Sequence, residues 1–177
     1  MYRKSPRFLL LAIPKRVLRF LALLPAVLPF FSTTASAQYT RGYAFLAPGG
    51  VTESGSTRSI FGFGGGVERL LDRGVGVGGE LSALVPGQGP LSDTLGLFSL
   101  SGYYHLRSDA RIDPFGSLGY SVLFRDFTNS ALSWGGGVNY WIRDTHGLVF
   151  EFRDNAARSK PGPGGHFWEI RIGFIFR

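Results

Sequence analysis

Residues 167–177 alternate between two kinds of side chain with a period of two, which confines this stretch to an extended strand. One face mixes apolar residues with Glu169 and Arg171. In a soluble sheet the charges would face water, whereas in a membrane barrel they point into the lumen and the apolar face meets lipid. The rest of the chain decides between these arrangements. The apolar face consists of Trp168, Ile170, Ile172, Phe174 and Phe176.

The first 37 residues have the composition of a secretory signal peptide. Residues 1–19 contain six basic residues and no acid, an apolar run covers 20–31, and Ala35-Ser36-Ala37 is a small-x-small cleavage signal. The alternative is an uncleaved anchor. However, the run has twelve residues, including two prolines, whereas a spanning helix needs about 20. We expect cleavage after Ala37, which leaves one domain over 38–177.

The charge of the chain belongs mainly to this export segment. Six of the 19 Lys and Arg residues and none of the 12 acids precede residue 38, which leaves 13 bases and 12 acids in the domain. A nucleic-acid partner is therefore not expected, since it requires a basic face on the folded domain. The chain has no cysteine, which excludes disulfides and thiolate metal sites.

The domain reads as all-β. All 26 glycines follow residue 41, and this density disfavours helices. Eight segments alternate in polarity between turn residues. Most are close to the 9–11 residues of a tilted transmembrane strand. The predicted strands cover 41–47, 60–71, 74–85, 94–106, 113–124, 131–142, 147–153 and 167–176.

Each predicted strand separates large apolar side chains from glycine, serine and ionisable groups. A soluble barrel would show large apolar residues inside and a lysine-rich exterior, but the domain has one lysine, Lys160. The pattern predicts an eight-stranded antiparallel up-and-down transmembrane barrel with paired ions in its lumen. The predicted lumenal ions are Glu68, Glu80, Glu151, Arg153, Glu169 and Arg171.

The connections and the aromatic residues support the same topology. Aromatic residues gather at both strand ends, as interfacial girdles require: Tyr43, Tyr103, Tyr104, Tyr140 and Trp141 at one end, and Phe124, Trp134 and Trp168 at the other. Short turns and longer loops alternate, as insertion from the periplasm imposes, except that the link at 125–130 is short although it lies on the predicted outer side. The short turns are 71–74, 108–111 and 143–146, and the longer links are 48–59, 86–93 and 154–166.

The signal peptide, the glycine runs at 61–66 and 134–141 and the alternating last strand resemble small outer-membrane β-barrels of the OmpA/OmpX type. The resemblance covers residues 38–177 and implies contact with outer-membrane lipid and insertion by the barrel-assembly machinery. It also implies that Ile172, Phe174 and Phe176 form the insertion signal. In that family an aromatic residue usually ends the last strand, whereas here Arg177 follows Phe176.

Motifs for catalysis are not apparent. There is no nucleophile elbow, and the three histidines lack metal-ligand spacing. The glycines at 74, 76 and 79 match a dinucleotide fingerprint formally, but the chain continues as a strand where that motif needs a helix. We therefore expect no enzyme activity, cofactor or metal.

An eight-stranded barrel has an interior that side chains can just fill. We expect a monomeric, non-enzymatic outer-membrane protein with a structural or surface role and a mostly plugged lumen. One alternative is a narrow transport or ligand-binding barrel that uses the lumenal Glu and Arg residues. A second alternative is a soluble, secreted, calycin-like ligand carrier, which would stay in the aqueous fraction without detergent.

Overall fold

The computed structural model describes residues 39–53, 55–88, 93–124, 128–157 and 165–177. The signal peptide predicted over 1–37 lies outside these residues. Within the described residues no helix is long and apolar enough to cross a membrane. The strands are β1 (Thr40–Glu53), β2 (Ser56–Leu70), β3 (Val75–Pro86), β4 (Leu95–His105), β5 (Ile112–Phe124), β6 (Thr128–Arg143), β7 (His146–Ala157) and β8 (Gly165–Phe176).

The eight strands form a closed antiparallel barrel in chain order, and β1 pairs with β8 to complete it. This confirms the predicted fold class. Residues 39 and 177 lie at one end, together with the β2–β3, β4–β5 and β6–β7 turns; we call this the terminal end and the opposite one the loop end. The β2–β3 turn is tight because Arg73 and Gly74 both adopt positive φ angles, of 59° and 78°.

Large apolar side chains cover the outside of the barrel on every strand, while charged side chains are buried inside. This is the inverse of a soluble barrel, in which polar residues face water. The alternation along each strand produces the arrangement, because successive side chains point to opposite faces. Exposed examples, one from each strand in order, are Leu46, Phe63, Val77, Leu100, Leu118, Leu132, Phe150 and Phe174.

The prediction of a loop over 48–59 is wrong, because β1 and β2 continue through most of this segment as two paired antiparallel strands. Pro48, Gly49 and Gly50 indicate a turn in isolation. In the barrel Pro48 falls in a gap in the β1–β8 register, where its missing N–H costs no ladder bond. A Cβ at Gly49 would overlap the Trp168 carbonyl oxygen, so glycine permits the close approach that closes the barrel.

Other strand ends differ by a few residues. The strand predicted over 147–153 extends to Ala157, which shortens the predicted 154–166 link, and residues 158–164 lie outside the described residues. Three aromatic residues assigned to the girdle near the terminal end, Tyr43, Tyr103 and Trp141, instead point into the barrel. The girdle prediction is wrong for these three, because an aromatic side chain can occupy either face of a strand.

Candidate functional site

The interior of the barrel holds most of the polar chemistry of the chain. Among the described residues, five carboxylates, three guanidiniums and one imidazole are buried there. Inward glycines make room for these long side chains. A Cβ at Gly62 would collide with Glu169 Oε1, and one at Gly76 would collide with the Glu68 carboxylate. The inward glycines on β2 and β3 therefore leave the space that the long ionic side chains occupy.

Five ions form a central cluster, which comprises Glu80, Glu151, Arg153, Glu169 and Arg171. Each arginine contacts the glutamate two residues earlier on its own strand, with 2.8 Å from Arg153 Nη2 to Glu151 Oε1 and from Arg171 Nη2 to Glu169 Oε2. The two strands also pair opposite charges in register, Glu151 with Arg171 and Arg153 with Glu169. The Glu151–Arg171 pair has an N···O distance of 3.6 Å.

Glu80 connects this cluster to the opposite wall of the barrel. Its Oε2 lies 2.8 Å from Arg171 Nη1 and 3.4 Å from Arg153 Nη1. It also accepts a hydrogen bond of 3.1 Å from the Tyr43 hydroxyl. One carboxylate thus meets both guanidiniums, each of which is almost completely buried. Removing one member of such a group leaves an uncompensated buried charge, at a cost of about 3–5 kcal/mol.

A second group, the terminal-end cluster, comprises Arg41, Glu68, His105 and Asp113. The His105 ring lies between two carboxylates, with 2.7 Å from Nε2 to Glu68 Oε1 and 2.8 Å from Nδ1 to Asp113 Oδ2. Arg41 Nη1 contacts Asp113 Oδ2 at 2.9 Å, and Asn139 donates to the same oxygen at 3.3 Å. All these side chains are buried.

The structure divides the six predicted lumenal ions between the two clusters. Five form the central cluster, whereas Glu68 contacts His105 in the terminal-end cluster. Arg41 and Asp113 also lie in the lumen, although they were not among the predicted lumenal ions. Asp113 could have been found by extending the alternation of β5 back from Ser117. Arg41 could not be found in this way. The next inward residues on β1 are the aromatic Tyr43 and Phe45, so the inward face of this strand does not alternate as a polar face.

Between the clusters lies a cavity of about 20 Å³, lined by residues that include Tyr43, Glu68, His105 and Glu151. A volume of this size accommodates about one water molecule. Toward the loop end the interior becomes apolar, where Leu84, Leu97, Ala131 and Phe167 pack together; we call this group the apolar cap. The described part of the lumen therefore contains ions at mid-depth and an apolar layer above them.

Arg177, which departs from the usual pattern of the resembled family, closes the terminal end. Its guanidinium lies over the Trp141 ring at 4.3 Å from the centroid and over the Tyr39 ring at 5.1 Å. It also donates to the Tyr39 hydroxyl at 3.1 Å. Arg41 lies over the same two rings, at 5.3 Å from Trp141 and 5.1 Å from Tyr39. These contacts join the first and last described residues.

The three residues of the predicted insertion signal, Ile172, Phe174 and Phe176, all face outward on β8. The ring of Phe176 covers Gly42 on the neighbouring strand, so that a Cβ at Gly42 would overlap it. The same arrangement of an aromatic ring over a glycine recurs at Gly96, which is covered by Phe124. Such cross-strand pairs help to fix the register of twisted sheets.

In the described parts of the chain, no group of three or more His, Asp or Glu side chains is arranged to hold a metal ion. The sequence matches no family model and no curated protein.

The chain is similar to solved structures of small barrels, of which three are described here. Neisserial surface protein A has a TM-score of 0.62 and 14% identity, over 80% of this chain and 99% of the other. The N-terminal β-barrel domain of Pseudomonas aeruginosa OprF has a TM-score of 0.53 and 17% identity, over 81% and 100%. The outer membrane enzyme PagL has a TM-score of 0.53 and 13% identity, over 76% and 98%. At these identities the likeness shows the fold, which is that of small outer-membrane barrels.

Proposed function

We propose that this chain is a small integral outer-membrane β-barrel protein, monomeric and non-enzymatic, with a structural or surface role and a lumen closed by ion pairs. The observation that carries the proposal is the polarity of the barrel. Exposed apolar side chains surround all eight strands, while five carboxylates and three guanidiniums of the described residues are buried inside. Lipid is the solvent in which such an exterior is stable.

The same polarity argues against the soluble ligand carrier. A carrier of that kind needs an apolar cavity inside and a wet surface outside. Here the mid-depth of the lumen is occupied by Glu80, Arg153 and Arg171, which contact one another directly. The cavity beside them, about 20 Å³ in volume, is far smaller than a small-molecule site.

Export and insertion complete the proposal. Cleavage after Ala37 would release residues 38–177 into the periplasm, where the barrel-assembly machinery would recognise Ile172, Phe174 and Phe176 on β8. The outward position of these three side chains leaves them accessible on one face of the strand. Under this proposal the terminal end faces the periplasm and the loop end faces the exterior of the cell.

Fractionation of cells that express the full chain tests the proposal. We expect the protein in the outer-membrane fraction, shortened by the signal peptide, with a gel mobility that changes on heating because a folded barrel resists detergent. Recovery of a folded protein from the aqueous fraction without detergent would contradict the membrane assignment and favour the soluble carrier.

Conductance separates the closed barrel from the narrow transporter. In planar bilayers we expect no discrete channel events from the wild-type protein, because the central cluster and the apolar cap fill successive layers of the lumen. Reproducible channel events that disappear in Glu80→Gln would instead support transport through the lumen.

A further inference from the structure

The positive charge of the domain is concentrated at the terminal end. Six arginines and three aspartates belong to the turns and strand ends there, whereas the segments that connect strands at the loop end contain four bases and four acids. Three further arginines and five carboxylates are buried in the lumen. Bases therefore outnumber acids at the terminal end alone. The charged residues of that end are Arg69, Arg73, Arg107, Arg111, Arg143, Arg177, Asp72, Asp109 and Asp144.

Three of these arginines adjoin the apolar band on the outside of the barrel. Each is the direct chain neighbour of an exposed apolar residue. The surface thus changes from apolar to cationic within one residue, and long basic side chains at such a boundary reach the level of the lipid headgroups. We call Arg107, Arg111 and Arg143 the terminal arginine patch. The neighbouring pairs are Leu106–Arg107, Arg111–Ile112 and Ile142–Arg143.

The patch covers the ends of three neighbouring strands. Arg107 and Arg111 belong to the β4–β5 turn, in which the Ala110 N–H donates to the Arg107 carbonyl at 2.9 Å. The Trp141 N–H donates to the Arg111 carbonyl at 2.8 Å, which places Arg111 beside the end of β6. Arg143 follows two residues after Trp141 on that strand. The three arginines therefore lie side by side on one part of the barrel wall.

Arg111 lies along the outer face of the barrel. Its guanidinium carbon is 5.2 Å from the centroid of the Tyr140 ring. Tyr140 belongs to the outward face of β6, because its neighbours Asn139 and Trp141 are buried on the inward face. The Arg177 guanidinium instead lies over the Trp141 ring at the mouth of the barrel, so Arg177 is not part of the patch.

Ion pairs do not neutralise the patch within the described part of the chain. Among those residues no carboxylate forms an ion pair with Arg107, Arg111 or Arg143, and all three arginines are exposed. Asp109 and Asp144, the nearest acids in the sequence, lower the net charge of the two turns without pairing. An exposed guanidinium offers N–H donors in a planar fork that matches two oxygens of a phosphate.

We propose that the terminal arginine patch binds the phosphate of an anionic glycerophospholipid, such as a phosphatidylglycerol, whose acyl chains lie against the adjoining apolar band. The inference rests on the membrane location proposed above and adds a lipid preference at one end of the barrel. In the proposed orientation the patch meets the periplasmic leaflet of the outer membrane, which consists of glycerophospholipids. A zwitterionic headgroup offers a similar phosphate, but the arginines repel its cationic group.

Fluorescence quenching in vesicles tests which lipid gathers at the patch. The chain has no cysteine, so Ile142→Cys in the full-length protein places one small fluorophore beside Arg143. Leu132→Cys places one at an outward position near the loop end of the same strand. The vesicles contain mainly phosphatidylcholine and a minor share of phosphatidylglycerol in both leaflets, so the direction of insertion does not affect the result.

Nitroxide-labelled acyl chains are carried by phosphatidylglycerol in one set of vesicles and by phosphatidylcholine in the other. Because nitroxides quench nearby fluorophores, the ratio of the two quenching signals reports the local lipid composition. We expect phosphatidylglycerol to be enriched about three- to fivefold at position 142 relative to position 132, since one basic residue at a membrane surface attracts an anionic lipid by about that factor.

Arg111→Gln and Arg143→Gln should each reduce the enrichment about twofold, and the double variant should return it to the bulk composition. The matched control is Arg58→Gln, which removes one exposed arginine near the loop end and should leave the enrichment at position 142 unchanged.

Equal lipid compositions at the two positions in the wild type, or full enrichment at position 142 in the double variant, would each overturn the proposed site. The heat-dependent gel mobility of every variant in the same vesicles verifies that it has folded. If the wild-type protein fails to insert into the vesicles, the membrane assignment itself is contradicted, which distinguishes that failure from failure of the lipid site.

Discussion

Glu80 and Arg171 meet across the lumen, with 2.8 Å between the carboxylate Oε2 and the guanidinium Nη1, although β3 and β8 are separated by two strands on the barrel wall. Both side chains are almost completely buried. The contact braces opposite walls, and Arg153 shares the same carboxylate oxygen. The stability of the barrel should therefore depend strongly on this one carboxylate.

Glu80→Gln should lower the free energy of unfolding by about 3–5 kcal/mol, because it leaves two buried guanidiniums without their shared counter-charge. Urea unfolding in lipid vesicles, followed by gel mobility, measures the change. The matched control is Asp109→Asn in the exposed β4–β5 turn, which should change stability by less than about 0.5 kcal/mol. Equal stabilities for Glu80→Gln and the wild type would contradict the role of Glu80.

The direct interaction between Glu80 and Arg171 can be isolated with a double-mutant cycle. Glu80→Gln, Arg171→Met and the double variant should give a coupling energy of about 1–3 kcal/mol, because the two side chains are in contact. A parallel cycle between Glu80 and the exposed Arg111 should give a coupling within about 0.5 kcal/mol of zero. Similar couplings in the two cycles would show that the effect is not specific to the contact.

Gly62→Ala should destabilise the barrel by about 1–3 kcal/mol, because the added Cβ would collide with Glu169 Oε1 inside the lumen. Gly102→Ala is the control, since its nearest neighbouring atoms would lie 3.9 Å from the new Cβ. We expect that control to unfold within about 0.5 kcal/mol of the wild type. Equal losses of unfolding free energy from the two substitutions would contradict the role of the inward glycines in making room for the ions.

Phe174→Ala should reduce the amount of folded barrel in the membranes of living cells severalfold, because it removes one residue of the proposed insertion signal. Phe152→Ala removes a comparable outward phenylalanine from the neighbouring strand and should have little effect. Both variants should refold similarly into vesicles without the assembly machinery. An equal loss of both variants in cells would argue against recognition of β8.

Most strands could be predicted from the sequence because a period of two is a local property. The final strand and the Glu151–Arg153 segment are examples, since their alternation sets the inward face directly. The hairpin at 48–59 could not be predicted in this way. Its one proline and its glycines indicate a turn, and only the pairing with β2 and β8 keeps it extended.

The site was harder to predict than the fold. Six inward ions could be predicted from alternation, but their partners depend on which strands face one another across the lumen. Glu80 reaches Arg171 from a strand that is distant in sequence, and Glu68 instead meets His105. Tyr43 and Trp141 lie inside because the barrel interior near them accepts aromatic rings, which no local pattern encodes.

The membrane assignment depends most directly on whether the outward face of the barrel contacts lipid. The chain has no cysteine, so Leu100→Cys places a single fluorophore at an outward position on β4, and Asp109→Cys places one in the terminal-end turn. In vesicles we expect nitroxides on the acyl chains to quench the label at 100, and aqueous iodide to quench the label at 109. Iodide quenching of the label at 100, without quenching by the acyl-chain nitroxides, would contradict the account.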